Sequence, residues 1–313
     1  MTSPAASPIP AIPPASTFEG RPLPHPDEPV FDQGLGFDLD TLISRRRVLR
    51  ALGYGAVGAG LVSIVGCAPG GATTTPGSSA GATATGTASA TGAGSTFAAG
   101  TDVCEEIPEE TAGPYPGDGS NGPDLLGESG VVRSDIRSSF GSSSTLAAGV
   151  PLTIRLAVLD LATACAPMAG AAVYLWHCDQ AGRYSMYSQG VQNENYLRGV
   201  QAGGADGIVT FSSIFPACYS GRWPHIHFEV YPNLDAANDV GNKISTSQIA
   251  LPQDTCNLVY ATSGYEQSVS NMGRVSLSGD MVFGEDDGER QIGAMTGSVA
   301  AGLTVDLSVP VRA

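Results

Sequence analysis

Alternating apolar and polar positions predict β-strands over the second half of the chain. From Pro151 to Asp160 nearly every second residue is apolar, which is the period of a strand with one buried face. Further apolar or alternating runs of strand length occupy 171–177, 207–211, 224–231 and 303–311. No long stretch has a helical period, and only 254–261 is expected to form a short helix, with Asp254 as its N-cap. The pattern predicts an all-β sandwich with long functional loops and little helix.

Composition divides the chain into a leader at 1–67, a linker at 68–103 and a folded domain at 104–313. The first 43 residues are rich in Pro and polar residues, and the linker contains almost only Gly, Ala, Thr, Ser and Pro. Such segments bury too little apolar surface to offset their conformational entropy, so we expect them to be disordered or flexible. All the predicted strands lie in the third part, whose length suits one domain with its own core.

The end of the leader is typical of an export signal. Arg45 and Arg46 precede an apolar, Gly-rich run at 51–66, which is shorter than the roughly 20 residues of a membrane span. The paired arginines resemble a twin-arginine signal, and the run closes on Ile64-Val65-Gly66-Cys67, which resembles a lipobox. We therefore predict an exported protein held at the cell surface by a lipid on Cys67. A plain secretory signal, or an anchor helix without a lipid, is the alternative.

Charge and cysteine content narrow the possible partners and ligands. The formal net charge of -15 argues against nucleic acid as a partner, because phosphate binding depends on clustered Lys and Arg. No C-x-x-C pair is present, which argues against a cysteine-based zinc site. An exported chain can oxidise its thiols. We predict a disulfide between Cys218 and Cys256, because each lies in a loop that flanks the most chemically distinctive segment, at 215–231.

That segment places two histidines where they can bind one metal ion. His225 and His227 alternate with Ile226 and Phe228, so both imidazoles leave the same face of the predicted strand. Another histidine, His177, is expected to be a core residue or to lie behind the ligands. The histidine pair alone does not identify the metal, but a tyrosine and an arginine lie just upstream.

Four short segments together resemble the intradiol ring-cleavage dioxygenases, which include the catechol and protocatechuate enzymes. They are E-E-T-A-G-P-Y-P at 109–116, A-G-R-Y at 181–184, the Y-x-x-R-x-P-H-I-H pattern at 219–227 and T-S-Q at 246–248. Enzymes of this family hold a ferric ion with two tyrosines and two histidines. The resemblance implies a β-sandwich and an Fe(III) ion bound by Tyr184, Tyr219, His225 and His227.

The resemblance also implies an activity and roles for the neighbouring residues. The reaction would be cleavage of a catechol-type ring between its hydroxyls by O2, giving a muconate-type dicarboxylic acid. Tyr219 would leave the iron and help to take a proton from the substrate, a small aromatic diol, and Arg222 would stabilise the negative charge on the attacked ring carbon. The residues implied to lie against the substrate or to support Arg222 are Thr111, Pro114, Tyr115 and Gln248.

This sequence departs from the better-known enzymes close to the ligands. The interval between Tyr219 and His225 is shorter, and Cys218 stands where a glycine is usual. Both differences concern the substrate pocket more than the ligands. The resemblance is nearer to exported, cysteine-bearing members of the family.

The chemistry of the donors supports iron, although two other interpretations remain open. Hard phenolate oxygens favour the ferric state, and two phenolates with one hydroxide cancel its charge, which a buried site tolerates. One alternative is a ferrous oxygenase of the cupin type, using His225, His227 and Glu229 on the same strand face. The other is a non-catalytic surface protein whose sandwich binds a partner.

Overall fold

The structure is a computed structural model that describes Phe97, residues 104–313 and two short N-terminal strands, β1 (Thr17–Phe18) and β2 (Arg21–Pro22). The two strands pair antiparallel with each other. The predicted export signal, Cys67 and all of the predicted linker except Phe97 lie outside the described residues. No helix in the described part of the chain is long and apolar enough to cross a membrane.

Nine strands of the domain form two sheets. The first sheet contains β3 (Pro151–Asp160), β4 (Ala166–Pro167), β7 (Ile208–Ile214), β10 (Ala294–Ser298) and β11 (Gly302–Val311). Its central strand β3 pairs parallel with β11 and antiparallel with β4 and β7. The second sheet is antiparallel in the order β6 (Arg198–Ala202), β5 (Ala172–Trp176), β8 (His225–Tyr231), β9 (Ser245–Ala250).

Facing apolar side chains of the two sheets form the core. From β3, Ile154 and Leu156 are fully buried, and from β8, Ile226 and Phe228 are fully buried in the same cluster. The alternation found in the sequence therefore has its predicted effect, because one face of each sheet is turned inward. The predicted all-β sandwich is confirmed, with the predicted strand at 151–160 correct to the residue.

Two helices follow the second sheet, where one was predicted. The first is α1 (Gln253–Tyr260), but its N-cap is Pro252, so the predicted cap at Asp254 is wrong. Asp254 lies instead in the first turn, where its negative carboxylate interacts favourably with the positive end of the helix dipole. The second, α2 (Glu266–Met272), was not predicted because its buried face is partly polar. Single turns of 3-10 helix occupy Leu161–Thr163, Ala236–Asn238, Val240–Asn242 and Leu277–Gly279.

The disulfide bond of the described domain joins Cys104 to Cys165, and the predicted bond between Cys218 and Cys256 is wrong. Both of those thiols are buried and free, with Cys218 Sγ facing the Arg222 carbonyl at 3.6 Å. Burial raises the pKa of Cys218 to about 12, which keeps the thiol protonated. Although both cysteines lie near the segment at 215–231, their thiols do not form a bond with each other.

Alkylation before reduction should therefore label Cys178, Cys218 and Cys256 in the unfolded protein, and should leave Cys104 and Cys165 unlabelled until a reductant is added. Replacing Cys104 and Cys165 by serine should lower the free energy of unfolding by about 4 kcal/mol, because the bond closes a loop with a sequence separation of 61. Peptide mapping and urea unfolding measure the two effects. A labelled Cys104 in the unreduced protein would contradict the pairing.

Candidate metal centre

The face of the second sheet that is turned away from the sandwich core carries the predicted site. His225 and His227 point to this face. Ile226 and Phe228, which alternate with them along β8, point into the core. The register places Trp176 of β5 and Gln248 of β9 on either side of His227. Rigid neighbouring strands therefore fix the two histidines from both sides.

Four potential metal-binding atoms meet at this face. His225 Nε2 lies 3.1 Å from His227 Nε2, 3.2 Å from Tyr219 Oη and 3.5 Å from Tyr184 Oη. The four predicted ligands, which span 44 positions of sequence from Tyr184 to His227, are thus brought together. Each contributes one polar atom to the same small volume.

Hydrogen bonding and stacking orient the two imidazoles. His225 Nδ1 lies 2.5 Å from the Trp223 carbonyl, and because a carbonyl only accepts, Nδ1 carries the proton and Nε2 presents its lone pair. The His227 ring stacks on Trp176 with centroids 4.9 Å apart and an interplanar angle of 4°. Burial, with the charge of Arg222, lowers the pKa of His225 to about 3. Its imidazole is therefore neutral at pH 7, as ligation requires.

The two tyrosines differ in their access to solvent. Tyr184 is 2% exposed, whereas Tyr219 is only partly buried. Burial raises the pKa of both phenols, and for Tyr219, where Arg222 opposes the effect, the pKa is raised to about 12. A strongly charged hard cation lowers such pKa values by binding the phenolate, so this donor set fits Fe(III).

A glycine allows the two tyrosine segments to approach each other. Gly182 has a φ of +82°, and a Cβ atom added there would lie 3.1 Å from Tyr219 Cβ. The turn before Tyr184 is closed by the Asp179 carboxylate, which accepts from the backbone N–H groups of Ala181 and Arg183. The A-G-R-Y pattern thus combines a closed turn with a close approach that any larger residue would obstruct.

Glu229, the carboxylate of the ferrous alternative, has other partners. It accepts from Lys243 Nζ at 2.9 Å and from Tyr231 Oη at 2.7 Å. Within the described residues, no group of three or more His, Cys, Asp and Glu side chains is arranged to hold a metal ion. The geometry therefore favours the tyrosines over Glu229 as companions of the two histidines.

Arg222 is buried beside the four atoms and is held by two side chains. Its Nη2 donates to Gln248 Oε1 at 2.9 Å, and its Nε donates to Asp280 Oδ2 at 3.0 Å. Gln248 Nε2 in turn donates to the Thr111 carbonyl at 2.9 Å. The predicted residues Arg222, Gln248 and Thr111 therefore form one hydrogen-bonded chain, and the amide of Gln248 is engaged at both ends.

The segment that contains Thr111, Pro114 and Tyr115 lies against the ligands. The Tyr115 ring is 4.8 Å from the Tyr184 ring between centroids, and Pro114 is exposed at the edge. At Gly113, φ is +70° and an added Cβ would lie 3.3 Å from His227 Cε1. This contact explains why the T-A-G-P-Y pattern has a glycine at that position.

Sequence reasoning missed two charged residues that organise the site, Asp280 and Arg198. Arg198 is fully buried and donates hydrogen bonds to the carbonyls of Tyr115 and Pro116 and to Ser185, next to Tyr184. It therefore ties the 109–116 segment to the Tyr184 loop. Neither residue lies in a recognisable motif, and the strand that carries Arg198 was not predicted.

A surface cavity of the described domain lies apart from the four atoms. Its volume is about 290 Å³, and it is lined by residues that include Thr145, Asp179, Arg183, Glu194 and Tyr196. Its charged groups are paired within the protein, as in the 2.8 Å contact between Arg183 and Asp179. The chemistry of the donor atoms therefore locates the candidate site.

Gly113→Ala should disturb His227, whereas Gly141→Ala should not. Gly141 has a φ of +75°, close to that of Gly113, but an added Cβ would meet nothing within 4 Å. Both variants should lose about 1–2 kcal/mol of unfolding free energy from backbone strain. Only Gly113→Ala should also shift the His227 Cε1–H signal in the NMR spectrum of the metal-free protein. Unchanged histidine signals in Gly113→Ala would contradict the contact.

Comparison with known proteins relates this chain to dioxygenases. A family model described as Dioxygenase matches residues 123–235, a range that includes Tyr184, Tyr219, Arg222, His225 and His227. No curated protein matched the chain. An intradiol ring-cleavage dioxygenase from Tetranychus urticae has a similar structure, with 28% identity and a TM-score of 0.52 over 67% of this chain and 95% of that one.

More distant structures carry related names. The dioxygenase domain of a dioxygenase carbohydrate-binding protein fusion from Streptomyces sp. SirexAA-E is 22% identical, with a TM-score of 0.42 over 66% of this chain and 99% of that one. Catechol 1,2-dioxygenase from Acinetobacter sp. ADP1 is 16% identical, with a TM-score of 0.40 over 66% of this chain and 62% of that one. The matched family model and the mite enzyme support the intradiol ring-cleavage dioxygenase family for this chain, whose fold is similar to that of the mite enzyme.

Proposed function

We propose that this protein is an Fe(III)-dependent dioxygenase that uses O2 to cleave a catechol-type ring between its hydroxyls, giving a ring-opened, muconate-type dicarboxylic acid. One observation carries the proposal: the phenol oxygens of Tyr184 and Tyr219 and Nε2 of His227 all lie within 3.5 Å of His225 Nε2. Two phenols and two neutral imidazoles suit a hard trivalent ion.

In this proposal Tyr184, Tyr219, His225 and His227 hold the iron. A bound ferric ion would supply the Lewis acidity and the redox chemistry that open a catechol to attack by O2. Trp176 and the Trp223 carbonyl keep the two imidazoles in place, so the ligands need little reorganisation.

Tyr219 is the ligand best placed to exchange with substrate. It is partly exposed, while Tyr184 is buried beneath Tyr115. With a pKa raised to about 12 in the metal-free protein, the Tyr219 phenolate is a strong base. Its Oη can take a proton from an incoming catechol hydroxyl, which matches the role that the sequence pattern implies.

Arg222 supplies positive charge at the site. Burial lowers its pKa, but Tyr219 and Asp280 more than offset this, so the pKa is raised and the guanidinium stays charged. A fixed cation in a dry environment stabilises negative charge that develops on the substrate ring. We assign Arg222 this role.

Iron binding should depend on His225 and His227 but not on His177. In His177, Nδ1 donates to the Cys178 carbonyl and Nε2 accepts from Ser213, so its ring is fully engaged by the protein. His225→Ala and His227→Ala should lose iron and the visible colour of ferric phenolate, whereas His177→Asn, the matched control, should keep both. Iron analysis and absorption spectra provide the measurement. Full iron content in His225→Ala would contradict the ligand assignment.

Tyr219→Phe should shift the visible band and keep part of the iron, because Tyr184 and both histidines remain. Oxygen uptake with catechol, hydroxyquinol and protocatechuate, followed by product analysis, tests the activity directly. Wild-type protein loaded with iron should consume O2 and release a ring-opened dicarboxylic acid. If it consumes no O2 with any of these diols, the proposed function is wrong, and a colourless protein without bound metal would favour a binding role instead.

A further inference from the structure

We propose that Asp280 is a positioning residue that orients the Arg222 guanidinium so that its Nη1 edge faces the reacting ring. The proposal rests on the proposed function and extends it to a residue outside the sequence motif.

Three of the five N–H groups of Arg222 have protein partners. Nε donates to Asp280 Oδ2 at 3.0 Å, and Nη2 donates to Asp280 Oδ1 at 3.2 Å and to Gln248 Oε1 at 2.9 Å. The described residues offer no hydrogen bond to Nη1, which carries the other two N–H groups. The paired contact with Asp280 fixes the plane of the guanidinium, and this leaves Nη1 as the edge available to a ligand.

Asp280 is held by the backbone and not only by Arg222. Its side chain is fully buried, and it accepts from the backbone N–H groups of Trp223 at 2.7 Å, Val282 at 2.9 Å and Phe283 at 3.3 Å. These contacts would remain if Arg222 turned away. The carboxylate is therefore a fixed reference against which the flexible arginine is aligned.

The same contacts connect Asp280 to the metal ligands. The N–H of Trp223 donates to Asp280, and the carbonyl of Trp223 accepts from His225. The Phe283 ring lies 6.0 Å from Arg222 Cζ and 6.5 Å from the His225 ring. The turn at 280–283 therefore sets Arg222 and His225 relative to each other through one short stretch of chain.

Asp280→Asn tests the inference with little change in shape. The amide keeps one acceptor oxygen. That oxygen cannot accept hydrogen bonds from Nε and Nη2 of Arg222 and from the backbone N–H groups at the same time. We expect kcat per bound iron to fall by about 10²-fold with little change in KM, because a misplaced group loses its effect on the transition state. Iron content and the visible band should stay close to wild type. Wild-type kcat in this variant would overturn the inference.

Asp306→Asn is the matched control. Asp306 forms a similar buried pair with Arg155 in the first sheet, with Asp306 Oδ2 and Arg155 Nη2 2.5 Å apart. Both variants should lower the unfolding midpoint, because each leaves an arginine without its buried carboxylate. Only Asp280→Asn should lower kcat per iron. An equal loss of kcat in Asp306→Asn would show a general effect of stability and would overturn the inference.

A double-mutant cycle separates action through Arg222 from other effects. Arg222→Leu alone should lower kcat by at least about 10²-fold. If Asp280 acts through Arg222, adding Asp280→Asn to Arg222→Leu should change kcat by less than about twofold. A further loss of about 10²-fold in the double variant would contradict a positioning role.

A crystal structure of metal-free Asp280→Asn gives a result that does not depend on activity. The Arg222 guanidinium should leave the plane that it has in the wild type, and the Trp223 N–H contact to residue 280 should remain. If the guanidinium has the same position in Asp280→Asn as in the wild type, the inference is wrong, whatever the activity of the wild-type enzyme. If the wild type consumes no O2 but the guanidinium moves as expected, the proposed function fails while the positioning contact stands.

Discussion

The site depends on the alternation of side chains along one strand. In β8, Ile226 and Phe228 are fully buried between the two sheets, so His225 and His227 must point to the opposite face. A shift of one residue in register would exchange the two sets and place both imidazoles in the apolar core. The core packing that stabilises the sandwich is therefore also what keeps the two nitrogen donors at 3.1 Å.

Long-range polar contacts then bring the remaining groups to that face. Gln248 connects Arg222 to the Thr111 carbonyl, and Arg198 connects the carbonyls of Tyr115 and Pro116 to the Tyr184 loop. The segment at 109–116 is thus held at two points and lies between them against His227. Because its partners are rigid strands, its position is set by the sheet.

Much of this was predictable from sequence, and the failures have physical causes. The strands with regular apolar alternation, such as β3 and β8, were predicted well. The missed strand β9 is buried along its whole length but consists largely of Ser, Thr and Gln, which satisfy their polar groups by hydrogen bonds and leave no apolar period. Asp280 was missed because its partner Arg222 is 58 residues away and no local pattern marks such a pair. The wrong cysteine pairing arose because neighbourhood to a segment does not determine which way a thiol points.

The bond between Cys104 and Cys165 determines where a pulling force would act. Cys165 closes the turn between β3 and β4 through its N–H contact with the Asp160 carbonyl, so the bond joins the start of the domain to its central strand. Tension applied through the chain before Cys104 would pass across a covalent link into β3. The segment that carries Gly113 against His227 lies beyond that link and is outside the path of the load. The 109–116 segment, which covers the candidate metal centre, is in this way mechanically isolated from the chain that precedes Cys104.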